Sequence, residues 1–366
     1  MRWSLYIGQF KEIKVYIHWT FILLLGFILF SQYRIGSSTQ TMLLTMGFVV
    51  CIFSCVLLHE FGHALTALHF NFKTKDIILL PIGGIARMQH LPENAKQELA
   101  VAIAGPAVNI VIAGLLFLIA GLPALTVETL YLNTITPQNF LHSLIVINLV
   151  LAIFNMIPAF PMDGGRVFRA LLALKFDRLT ATKAAAFLGQ FLAILFIVFG
   201  FFNNVWLVFI GFFIFLGAGS EASQEETKNR LSAFHVKDIL MKQFRIFHPD
   251  ALLSKAVSHM LNSQDKEFII VDNENIVGVL TRNEIIAGIG EYGENVPIRT
   301  VMRRDIVIID SEKSIEEAWT IMLSGNHTIL PVVDAGKLSG VIDLENISEF
   351  LMIRKALSAR NTVNRN

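Results

Sequence analysis

His59-Glu60-Phe61-Gly62-His63 carries the densest chemistry in this sequence. Residues four apart on a helix share a face, so His59 and His63 can present two imidazoles to one divalent ion. Neutral imidazole suits zinc, and a catalytic zinc usually keeps three protein ligands and a place for water. Glu60 is offset from that face and can take a proton from such a water, then hand it to a leaving amine. Chance alone would produce this five-residue pattern in about one chain in a hundred of this composition. Its location says more. The motif closes the uncharged run Thr41 to Leu58, and apolar chain follows it. A carboxylate at membrane depth is costly and points to function, whereas the bland alternative is a polar cluster that packs helices together.

A third ligand is needed. His69 lies six residues past His63 and points elsewhere on a helix. Asp163 is better placed, in Asn155-Met-Ile-Pro158-Ala-Phe-Pro161-Met-Asp163-Gly164-Gly165. Two prolines break a helix there and two glycines follow. Irregular backbone at membrane depth is tolerated where it lines a cavity enclosed by protein or filled with water. Asp163 can also cap a short helix beginning near Gly164, and the two roles are compatible.

Taken together and in this order, the two segments resemble the site-2 protease family of intramembrane zinc metalloproteases, over roughly residues 1–220. The resemblance implies Zn2+ on His59, His63 and Asp163, and Glu60 as catalytic base. It implies that Asn155 helps to position substrate or its developing oxyanion; on physical grounds Asn155 serves equally well as a hydrogen-bonding residue between helices. Pro81 to Met88 resembles the family's membrane-associated strand, and Ala104-Gly105-Pro106-x-x-Asn109 its third-span motif. Without the family, Gly105 and Pro106 read as a packing notch and a kink. A transmembrane substrate hides its carbonyls in helical hydrogen bonds, so an exposed strand edge at residues 81–88 would let an unwound segment pair and present one carbonyl. His18, Cys51 and Cys55 receive no role; the cysteines, a turn apart in an apolar run, read as packing residues.

The elements that must position these residues are apolar. The chain has 366 residues, 54% of them hydrophobic and 16% charged, with the charge concentrated after about residue 220. The uncharged stretches are Val15–Tyr33, Ile35–Leu58, Leu99–Val127, Thr129–Met162 and Ala184–Ser220. The last has 37 residues and a turn signal at Asn203-Asn204, so six transmembrane helices are expected, each near the ~20 residues a bilayer requires. The first is read as a retained span and not a signal peptide. Lys and Arg gather in the first sixteen residues and in the loops after the second and fourth spans, which predicts a multi-pass cell-membrane protein with both termini and the active-site side in the cytosol. A net charge of +1 argues against a dedicated nucleic-acid binder.

After Ser220 the composition changes. Residues 221–231 read as a polar linker, and 355–366 as a polar tail. Between them one pattern occurs twice, over 232–292 and 293–354: Val236 to Met241 aligns with Ile298 to Met302, and Gly278 to Ile285 with Gly340 to Ile347. The offset of 61 to 62 residues and the order β-α-β-β-α resemble a tandem pair of CBS domains, a soluble α/β module. That resemblance implies a regulatory adenine nucleotide such as ATP or AMP, held through Thr281 and Glu284, and allows a homodimer through the pair. A purely structural or dimerising module is the alternative. The whole therefore reads as a membrane-embedded zinc protease acting on transmembrane proteins within the lipid bilayer, under cytosolic control. The rivals are a CBS-regulated transporter, a protease-like scaffold without catalysis, and a zinc hydrolase of lipid or prenylated peptide; the last fits the histidine motif but not the Asn155–Asp163 segment.

Overall fold

The computed structural model describes residues 4–81, 83–88, 92–121, 135–325 and 327–363. The chain divides into two units, Met1–Glu225 and Glu226–Asn366.

The first unit opens with strands. β1 (Ser4–Phe10) and β2 (Ile13–His18) form a hairpin across Lys11-Glu12, both at positive φ, as a two-residue turn with the twist of its strands requires. β3 (Thr74–Leu80) runs parallel to β2, and β4 (Gly83–Met88) antiparallel to β3, giving the sheet order β1-β2-β3-β4. The first apolar stretch is thus part strand. Ile13 and Val15 are buried with a lysine between them exposed, the alternation of a half-buried strand, and helix begins only at Trp19. His18 has a role here: its Nδ1 accepts from the Thr20 N–H and caps the helix.

Helices α1 (Trp19–Arg34), α2 (Thr39–His69), α3 (Ala95–Ala120), α4 (Phe140–Asn155), α5 (Asp163–Ala173), α6 (Arg178–Asn203) and α7 (Val205–Ser232) follow. Of these α2, α3, α6 and α7 are long and apolar enough to cross a membrane. α1 and α4 are apolar but have 16 residues each, short of the ~20 that span a bilayer alone. The 37-residue stretch divides at the two asparagines: Asn204 is extended, and its side chain accepts from the Trp206 N–H to start α7. The fourth stretch is helical only over α4; it then turns through Pro158 and Pro161, and its residues 129–134 lie outside the described ones. Residues 221–231, expected as a linker, are the closing turns of α7, since the run Glu221 to Arg230 holds no proline or glycine to stop a helix.

The second unit contains β5 (Ile246–Phe247), α8 (Leu253–Asn262), β6 (Glu267–Asp272), β7 (Asn275–Thr281) and α9 (Arg282–Tyr292). The same order returns as β8 (Ile309–Asp310), α10 (Ile315–Gly325), β9 (Ile329–Asp334), β10 (Lys337–Asp343) and α11 (Leu344–Val363). The sequence repeats exchange their leading segments. Val236 is buried among Ile309, Ile315 and Ile342 of the second repeat, while Ile298 is buried among Leu253, Phe268 and Leu280 of the first. Met241 pairs with Val341 and Val279 with Arg303, each pair trading both backbone hydrogen bonds. Gly278 and Gly340 permit these approaches: a Cβ would lie 2.7 Å from Met302 Sδ and 2.5 Å from Leu240 Cδ1, respectively. The expected polar tail is helical as far as Val363.

Candidate metal centre

Three buried side chains converge. His59 and His63, one turn apart on α2, and Asp163, the first residue of α5, are 6%, 4% and 8% exposed. Asp163 Oδ2 lies 3.2 Å from His59 Nε2 and 3.1 Å from His63 Nε2, and the two Nε2 atoms are 3.1 Å apart. Among the described residues this is the cluster of three His, Cys, Asp or Glu able to hold one metal ion. Ligand atoms in tetrahedral zinc sites, at about 2.0–2.1 Å from the ion, are separated by about 3.3 Å, which the observed triangle nearly matches.

Hydrogen bonds fix the tautomers. His63 Nδ1 faces the carbonyl of Val101 at 2.7 Å; a carbonyl only accepts, so Nδ1 carries the proton and Nε2 keeps its lone pair. His59 is settled by a longer chain. Asn148 lies 2.8 Å from the Leu144 carbonyl and must donate to it through Nδ2, so its Oδ1 faces Asn109. Asn109 Nδ2 therefore donates to Asn148, at 2.9 Å, and its Oδ1 accepts from His59 Nδ1, at 2.5 Å. Both nitrogens pointing at Asp163 are then unprotonated donors of lone pairs. Two such nitrogens and a carboxylate oxygen in mutual contact make a set that a cation stabilises, so the donors fit a zinc ion.

Glycines make room. A Cβ on Gly105 of α3 would lie 2.2 Å from His63 Nε2 and 2.6 Å from His59 Nε2, so only a residue without a side chain leaves that face of the triangle clear. A Cβ on Gly84 would stand 2.5 Å from Glu60 Cγ; the bare backbone of β4 thus lies directly against Glu60. Gly164 and Gly165 let the start of α5 fold back on Met156, Ile157 and Phe160. Asp163 is not the cap of α5; Met162 holds that position and makes no side-chain cap bond.

Comparison with known proteins identifies the family. Residues 47–136 and 124–199 match Peptidase family M50, and residues 236–291 and 298–353 each match the CBS domain. The chain is 31% identical over 355 residues to zinc metalloprotease MJ0392 of Methanocaldococcus jannaschii, covering 96% of this chain and 97% of the relative. It belongs to peptidase family M50, the site-2 protease family. This M50 protein is also 26% identical to the putative zinc metalloprotease sll0528 of Synechocystis, over 96% of both chains. The solved site-2 protease from Methanocaldococcus jannaschii shares 34% identity over 60% of this chain and 95% of its own, with a TM-score of 0.44. The chain is accordingly a membrane zinc metalloprotease of the site-2 type with a CBS pair.

The other residues singled out in the sequence fall as follows. Glu60 lies between the two histidines in the chain, and its side chain stands against Gly84 of β4. Asn155 ends α4, half-buried, and no hydrogen bond of its side chain joins it to the triangle among the described residues. Cys55 is buried and accepts a long contact from Asn148 Nδ2 at 3.4 Å, so it pads the asparagine chain. Thr281 and Glu284 form a capping box at the start of α9: the Thr281 N–H donates to the Glu284 carboxylate at 3.0 Å and its hydroxyl donates there as well. In the second repeat Asp343 accepts from the Asn346 N–H at 2.7 Å, and Asn346 Oδ1 is buried with no hydrogen-bond partner among the described residues. From sequence Asn109 is only part of the third-span motif and has no role, and Asn148 goes unmarked; both are fully buried, and the sequence signal for them is an asparagine within an apolar helical run.

Proposed function

We propose that this M50 protein hydrolyses peptide bonds in or beside transmembrane segments of membrane proteins, with Zn2+ held by His59, His63 and Asp163. The triangle of three lone-pair atoms at 3.1–3.2 Å carries this reading. When bound, the ion supplies Lewis acidity, polarising the scissile carbonyl and making water a stronger acid. Glu60 takes the proton from the attacking water and returns it to the departing amine. Asn155 assists at the substrate carbonyl.

The position of β4 supports a route for the substrate. β4 is an edge of the four-stranded sheet, and its Gly84 backbone is against Glu60. A substrate segment unwound into a strand can pair with that edge and bring one carbonyl to the centre. The loop charges favour an arrangement in which both termini and the active-site side face the cytosol. The CBS pair would bind an adenine nucleotide such as ATP or AMP through Thr281 and Glu284, and would allow a homodimer.

The deciding experiment measures zinc content and cleavage of a model membrane substrate in lipid vesicles. Glu60→Gln should keep zinc and lose cleavage; Asp163→Ala should lose both in large part. A Glu60→Gln protein with wild-type turnover would end the proposal. ATP added to the full chain should change the cleavage rate, and Glu284→Ala should blunt the response.

A further inference from the structure

Helix α7 does more than cross the membrane. Ile214, Gly217, Ala218, Glu221, Ala222 and Glu225 recur at three- and four-residue steps and so share one face. That face meets the irregular segment leading to Asp163. A Cβ on Gly217 would lie 2.7 Å from Pro161 Cδ, Ile214 packs with Ala159 and Met162, and Ala218 packs with Phe160.

The polar end of the same face meets α5. Glu221 Oε1 accepts from Arg169 Nη1 at 2.6 Å, six residues after Asp163. Arg169 is 1% exposed and also donates to Glu98 Oε1 through Nε, at 2.8 Å, and Nη2, at 2.5 Å. Its guanidinium carbon sits 5.0 Å from the centroid of the Phe160 ring. The second oxygen of Glu98 accepts from Arg178 Nη1 at 2.8 Å, and Arg178 Nε donates to Glu225 at 3.1 Å. Glu98 in turn stands one turn before Val101, whose carbonyl orients His63. Among the described residues the carboxylates that compensate this buried guanidinium come from α3 and α7.

From these contacts we propose that α7 sets the position of Asp163, with Glu221 as a positioning residue acting through Arg169 and Gly217 as its apolar counterpart against Pro161. The helix continues beyond Glu225, and its residues Glu226 to Ser232 belong to the second unit. The inference rests on the metal reading above and is independent of which nucleotide, if any, the CBS pair binds.

The test uses the full chain loaded with Co2+, whose visible absorption reports ligand geometry. Wild type is compared with Glu221→Gln, with Gly217→Ala, and with Glu312→Gln, which alters only the exposed pair Lys237–Glu312. Glu98 still compensates Arg169 in Glu221→Gln, so that variant folds. We expect Glu221→Gln and Gly217→Ala to shift the cobalt spectrum and weaken cobalt binding by about tenfold, the scale of outer-layer partners in metal sites. Turnover should fall by a similar factor with KM within about twofold, the pattern of an interaction that matters after substrate is bound. Glu312→Gln should match wild type in all three. A wild-type spectrum and affinity in both α7 variants, whatever their thermal stability, would overturn the inference. A wild-type chain that takes up no cobalt would remove the metal reading itself, and this inference with it.

Discussion

Gly105→Ala is the sharpest perturbation that the structure offers. The added Cβ would stand 2.2 Å from His63 Nε2, against an ordinary contact of at least 3.4 Å, so the imidazole must retreat by about 1.2 Å. Metal–ligand distances tolerate deviations of about 0.2 Å. His63 would thus be lost as a donor, and His59, 2.6 Å from the same Cβ, would be crowded too. Outer partners of metal ligands are worth about 10–100-fold in affinity, so loss of a ligand should cost at least about 100-fold, or about 2.8 kcal/mol.

The rival reading treats Gly105 as a packing notch between helices. It predicts a destabilisation of about 1–3 kcal/mol from overpacking, with zinc retained. Helix propensity works the other way, since alanine is better than glycine in a helix interior by about 1 kcal/mol. Gly114→Ala separates the terms: it lies in the same helix and a Cβ there meets nothing within 4 Å. Zinc content and chelator competition on the purified full chain, with thermal midpoints in parallel, give the answer. The cradle argument expects a zinc-poor Gly105→Ala protein and a zinc-replete Gly114→Ala protein. A Gly105→Ala protein holding one zinc at wild-type affinity would refute it.

Three further outcomes follow from the same geometry. Asn109→Ala removes the acceptor that holds His59 in its Nδ1–H form, and zinc affinity measured by chelator competition should fall about 10–100-fold. Glu267, near the start of the second unit's β6, has its carboxyl pushed above the ordinary 4.5 by burial, with Asp343 and Glu284 adding to the effect. A carboxyl raised in the folded state costs stability as pH rises through its unfolded value, so Glu267→Gln should raise the unfolding midpoint at about pH 7 and have little effect at about pH 3, where both states are protonated. Residues 232–292 expressed alone should stay unfolded by circular dichroism, because the core of that repeat needs Ile298 and Val301, whereas residues 226–366 should fold.

The chemistry was legible where it depends on local spacing. Two histidines four apart on a helix face the same way whatever surrounds them, and a Pro-x-x-Pro-x-Asp-Gly-Gly segment cannot continue a helix. The relation between helices was not legible. Gly105 read as a notch because nothing in α3 records that the imidazoles of α2 stand opposite it. The register of Asn109 to His59 is equally a property of two helices together. β1 and β2 were hidden because Ile13 to Ile17, feeding straight into apolar α1, merges with it in any hydropathy window. The swap of leading segments between CBS repeats leaves no trace in the repeat itself, since an exchanged segment and a retained one have the same sequence.

The glycines connect these points. Ion-binding atoms come from α2 and α5, and their orientation from carbonyls on α3 and α4, so the centre is only as accurate as the approach of four helices. Without water to drive association, helices in lipid come together where side chains are smallest. Here Gly62 of α2 leaves 2.8 Å between its absent Cβ and the Ala104 carbonyl, Gly105 clears the triangle, and Gly164 seats α5 against Ile157. At each place a single methyl would displace a neighbouring backbone, or at Gly105 the imidazoles themselves, by more than a metal site tolerates. The same closeness that fixes three donors within 3.2 Å of one another makes the centre responsive to a shift of any helix that braces it, and α7, wedged on Pro161 through Gly217, is the brace that leaves the membrane unit.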